Sequence, residues 1–186
     1  MKDEDRGRKT TRAPSKRTRR YRDGDILRVG DEEYRLSIEY KNKKTSSARI
    51  VGNEISLSIS DNMDEAAKRE AISKLASRCV GARRKPELRR TIDRLNKKHF
   101  GKKVNKIFFK NMKSRWGSCS AAGNINISTR LLFAPPDVLE YVCIHELAHL
   151  KEMSHSPRFW ALVEEAMPDY REKRDWLRKN GSDCCF

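Results

Sequence analysis

PPDVLEYVCIHELAHLKEMSHSPRFW, residues 135–160, is the stretch on which the reading of this chain turns. Its two prolines stand where first-turn amides have no intrahelical partner, and a helix is predicted from Asp137 to Met153. The apolar residues of that helix lie nearly all round its axis, so it is expected to be buried. Inside it stand His145, Glu146 and His149. Residues four apart project from one helical face, about 40° apart around the axis, so both imidazoles can converge on one point. Glu146 lies about 100° round from His145, too far to share that direction.

Two imidazoles four apart with an adjacent glutamate suit a metal ion whose bound water the carboxylate touches. Catalytic zinc has three protein ligands and an open fourth position, so a third ligand is expected downstream. His155 fits, since it falls in the break between two helices, where the backbone can turn its ring back. Glu152, Glu164 and Glu165 are acidic alternatives, and His99 sits in a solvated basic stretch. The constellation predicts a zinc-dependent hydrolase, a peptidase first, with Glu146 as general base. Arg115, Trp116 and Tyr170 are candidates for stabilising an oxyanion.

Downstream, Ser156 and Pro157 form an N-cap and first-turn pair, and Pro168 with Asp169 restarts a helix that ends near Asn180 and Gly181. Three consecutive helices thus close the chain. Upstream, residues 25–60 alternate apolar and polar side chains around turns at Gly30 and at Gly52 with Asn53, which predicts a small, mostly antiparallel sheet. Asp61 onward changes to helical periodicity that Gly81 should end, and Pro86 should open a second, basic helix. Residues 104–110 and 124–128 read as strands on either side of RWGSCSAAG. The order of elements predicts one α+β domain over residues 23–181, with residues 182–186 as a frayed tail.

The 186 residues carry a net charge of +16, and its distribution is uneven. Residues 1–22 hold ten Lys/Arg against three Asp/Glu and almost no apolar side chains, so they are expected to be a disordered basic tail. Residues 83–115 hold fourteen basic against two acidic residues, while the half bearing the histidines is close to neutral. Those two basic segments would suit nucleic acid as a partner. No run of 18 apolar residues occurs, and the first residues lack the apolar core of a secretory signal, so a soluble, cytoplasmic protein without a membrane segment is expected. Five cysteines without framework spacing are expected as thiols.

From Ser114 to Leu177 the sequence resembles the YgjP-like metallopeptidase domain, a group of predicted metal-dependent hydrolases of zincin-like fold related to SprT-type proteases. RWGSCS at Arg115–Ser120, HELAHL at His145–Leu150 and HSPRFW at His155–Trp160 carry the resemblance. It implies Zn2+ held by His145, His149 and His155, with Glu146 catalytic and a peptide or protein as substrate. By analogy with zincins, Asn124–Ser128 would be an edge strand receiving an extended peptide. The spacing from His145 to His155 equals that of HExxHxxGxxH peptidases, yet Glu152 stands at the glycine position, so the backbone route to His155 must differ. The competing expectation is a nucleic-acid-associated protein that uses residues 1–22 and 83–115.

Overall fold

The computed structural model describes residues 19–186. Most of the expected basic tail, residues 1–18, lies outside the described residues. Residues 19–22 belong to the fold: Tyr21 packs on the core, and Arg19 donates its backbone N–H to the carbonyl of Phe186.

Four strands open the chain: β1 (Ile26–Val29), β2 (Glu32–Lys41), β3 (Ser47–Val51) and β4 (Glu54–Ser60), in the spatial order β1-β2-β4-β3. Period-two alternation turns Leu27, Tyr34, Leu36, Ile55, Leu57 and Ile59 to one buried face. The hairpins β1–β2 and β3–β4 are antiparallel and turn at Gly30 and Gly52, both with positive φ. Their central contact, β2 with β4, is parallel. The expectation of a mostly antiparallel sheet therefore holds, with one parallel pairing at its centre. β3 runs back one strand position away from β2, and β4 turns into the gap.

α1 (Glu65–Leu95) starts at Asp64, whose carboxylate accepts from the N–H of Ala67 at 2.7 Å. It runs unbroken past both expected boundaries. Gly81 is buried, and a β-carbon there would stand 3.0 Å from Phe109 and from Thr129, so this glycine permits close packing and does not stop the helix. Pro86 is exposed, and its missing amide falls on a helix anchored at both ends. Ile72, Leu75 and Val80 pack under the first sheet, while Leu88, Ile92 and Leu95 enter a second core. A π-helical turn at Asn96–Phe100 ends the segment at Gly101, which is left-handed.

The second sheet holds β5 (Ile107–Lys110), β6 (Gly117–Cys119) and β7 (Ile125–Ser128) in the order β5-β7-β6. This arrangement corrects the expectation for Asn124–Ser128. β7 is central, paired on both sides, and cannot accept an added strand; β5 and β6 are the edge strands. α2 (Pro136–Ala148), α3 (Pro157–Ala166) and α4 (Tyr170–Asn180) complete an α+β fold of two small sheets and four helices. Lys173 of α4 lies 2.9 Å from the carboxylates of Asp137 and Asp169, tying α4 to the start of α2, and its hydrogen bond holds the Asp137 carboxyl below its usual range. The expected frayed end is packed: Cys184 and Phe186 are buried, and the Ser73 hydroxyl donates to the Phe186 carbonyl at 3.1 Å. Among the described residues no helix is long and apolar enough to cross a membrane.

Candidate metal centre

α2 is buried along most of its length, with Val138, Val142, Cys143, Ile144 and Leu147 in the second core. It stops at Ala148, five residues before the expected end, and His149 is its C-cap. The chain then reverses without any left-handed residue. Glu152, at the position where a glycine was noted as missing, supplies the turn by another route. Its carboxylate accepts from the N–H and hydroxyl of Ser154 at 3.2 and 2.6 Å, and its backbone carbonyl lies 3.2 Å from Nδ1 of His149. A carbonyl can only accept, so Nδ1 carries the proton and Nε2 keeps its lone pair. Ser156 then caps α3 by accepting from the Phe159 N–H.

The reversal carries His155 back onto α2. One nitrogen from each of His145, His149 and His155 lies within 4.8 Å of the others, and Nε2 of His145 is 3.0 Å from Nε2 of His155. Phe159 is fully buried beneath them, its ring centroid 4.6–4.8 Å from all three imidazoles. His99 lies outside the group, Glu152 faces Ser154, and Glu164 pairs with Arg171. Phe159→Ala should therefore cost about 3–5 kcal/mol of stability and weaken metal binding, which thermal melts with and without a chelator would show.

The residues fit a cation. Burial, followed by repulsion from His149 and His155, lowers the pKa of His145 to about 3, and burial chiefly lowers that of His149. Both are thus neutral, the form that ligates. Nδ1 of His145 is buried without a hydrogen-bond partner among the described residues.

Glu146 is 4 % exposed, and its burial raises its pKa to about 8 against the opposing effect of Arg115. Its side chain lies across β6 at Gly117. A β-carbon at Gly117 would stand 2.7 Å from both Cγ and Cδ of Glu146, closer than such atoms can approach. RWGSCS is thereby explained in part: Gly117 leaves room for the carboxylate. A cleft of about 690 Å³ opens above the histidines, lined by Arg115, Ser118, Tyr141, Met153, Arg174 and Arg178 among others. Trp116 lines it too, held under the guanidinium of Arg130 at 4.1 Å and against Gly181. Tyr170, named from the sequence, is instead buried, stacked on Tyr141 and Trp160. Gly117, Phe159, Arg174 and Arg178 were not anticipated. The i, i+4 spacing of the two arginines on a predicted helix was the available signal for that pair.

A histidine pair on a buried helix, completed by a third histidine from the following turn, defines a metallopeptidase-like domain with a candidate metal site. Residues 4–180 match the model of the YgjP-like metallopeptidase domain, and the chain belongs to that family. Over 65 residues it is 35 % identical to the UTP pyrophosphatase of Escherichia coli strain K12, covering 33 % of this chain and 39 % of that protein. The chain thus matches about two fifths of that relative's length. Similar solved structures are the metallopeptidase zymogens abylysin of Pyrococcus abyssi and jannalysin of Methanocaldococcus jannaschii. The first is 25 % identical with a TM-score of 0.46, covering 49 % of this chain and 91 % of that one. The second is 16 % identical with a TM-score of 0.43, covering 49 % and 93 %.

Proposed function

We propose that this chain is a zinc-dependent hydrolase in which His145, His149 and His155 hold the ion and Glu146 is the general base. The observation that carries this reading is the buried Glu146 carboxyl beside three converging imidazoles, those of His145 and His149 neutral, at the floor of an open cleft. Zinc, when bound by such an all-imidazole set, supplies Lewis acidity and makes water a stronger acid. The charge of a bound cation would draw the Glu146 pKa back down, so that its carboxylate could take one proton from the attacking water. As the scissile bond breaks, Glu146 returns that proton to the leaving group. Gly117 and the buried wall of α2 keep the carboxylate in place between those two transfers.

For a peptide substrate, the edge strand β6 supports the reading: it borders the cleft and leaves its outer side unpaired among the described strands. Attack at the carbonyl then expels an amine that receives the Glu146 proton. A second reading is favoured by the rim. Arg115, Arg174 and Arg178 bring three guanidiniums to one cleft, and among the described residues Arg178 alone of them has a carboxylate within ion-pair range, Asp175 at 3.5 Å. Guanidiniums suit phosphate oxygens. Hydrolysis of a nucleoside triphosphate to a monophosphate and pyrophosphate, the activity carried in the name of the Escherichia coli relative, would use the same base and the same water.

Parallel assays on the zinc-loaded chain decide between the two. Release of pyrophosphate from UTP, lost in Arg174→Ala, supports the phosphoanhydride reading; cleavage of casein that survives Arg174→Ala supports the peptidase. Neither activity in the zinc-loaded chain would overturn the hydrolase.

A further inference from the structure

The second sheet has a face that the hydrolase reading leaves without a role. Its inner face, with Ile107, Ile125 and Ile127, is buried in the second core. On its outer face Phe108 of the edge strand β5 is 37 % exposed, unusual for a phenylalanine beside a well-filled core. Two ammonium groups lie over its ring: Lys85 of α1 at 4.8 Å from the centroid and Lys110 at 5.8 Å. Among the described residues no carboxylate pairs with either lysine, whereas Arg83, Arg84, Arg89 and Arg94 on α1 are all matched by acids. Across the sheet, Asn126 stands in register with Phe108, and its amide donates to the Ser118 hydroxyl at 3.0 Å. Aromatic ring, unmatched cations, the Asn126 amide oxygen and the Ser118 hydroxyl thus share one surface.

We infer that this outer sheet face binds single-stranded nucleic acid, with a base stacking on Phe108 as Lys85 and Lys110 swing from the ring to the flanking phosphates. The chemistry selects that occupant. A lone aromatic ring between two ammonium groups offers too little apolar area for a protein partner, while every base has a π-face that stacks on it. The surrounding stretch from Arg83 to Arg115, with fourteen basic against two acidic residues, extends the positive field along the path of a strand. In a duplex the bases are already stacked on one another, so an exposed ring on a flat face gains nothing from it. Asn126 and Ser118 offer hydrogen-bonding groups to base edges.

The test is fluorescence anisotropy of a labelled oligouridylate with the full chain across a salt series. Phe108→Ala is expected to weaken binding about tenfold with an unchanged salt slope, and Phe108→Trp to retain it. Lys85→Gln with Lys110→Gln should reduce the slope of log K against log salt by about 1.4, the value for two phosphates on a single strand. Hydrolase activity should be unaffected in all of these variants. Wild-type affinity in Phe108→Ala, displacement by polyglutamate as effective as by unlabelled oligouridylate, or equal affinity for duplex would each overturn the inference. Should Phe108→Ala fail to fold, the salt slope of the lysine double variant decides.

Discussion

Glu146→Gln is expected to retain zinc at the wild-type level and to lose turnover by about 10²–10⁴-fold, the usual contribution of a positioned general base. The amide keeps the volume and the packing across β6, so the surroundings of the three imidazoles do not change. What it removes is the lone pair that accepts a proton from water and later releases it. Metal content and kcat measured on the same preparation separate these effects. Turnover within a few-fold of wild type would remove Glu146 as the base, whatever the substrate.

Gly117→Ala should produce a comparable loss by a different route. The backbone at Gly117 is not left-handed, so alanine meets no conformational penalty there; the three nearest atoms to the added carbon all belong to the Glu146 side chain. The added methyl must push the carboxylate aside, and a displacement of about 1 Å at a reacting group costs on the order of 10²-fold in rate. Overpacking of this kind also costs about 1–3 kcal/mol of stability. Zinc should remain bound, because the atoms nearest the new methyl belong to Glu146 and not to a histidine. Wild-type kcat in Gly117→Ala would show that Glu146 is not held by that contact.

The parts of the fold that follow from local chemistry were legible in the sequence. Asp64 was not singled out, but Ser156, Pro157, Pro135 and Pro136 mark their helix starts, and alternation from Tyr34 to Ile59 marks the buried face of the first sheet. His145, His149 and His155 were legible together because helical spacing brings two imidazoles to one side and a helix break can return a third. Long-range packing was not legible. Gly81 and Pro86 are breakers by local propensity, yet α1 crosses both, since its two halves are anchored in different cores. The central place of β7 depends on which strand its neighbours choose, and the short strand β6 carries no alternation to announce itself. Phe186 looked like a chain end, and only its edge contact with Phe133 and the hydrogen bond from Ser73 to its carbonyl explain its burial. Glu152 in place of a glycine signalled a different turn correctly but could not reveal that its own carboxylate and carbonyl would build it.

Elemental analysis of the purified chain, wild type beside His149→Ala, bears most directly on all of this. Stoichiometric zinc in the wild type and its absence from a folded His149→Ala are the predicted results. A wild-type chain that takes up no zinc on loading, or a His149→Ala chain that keeps it, would contradict the centre assigned to these three histidines.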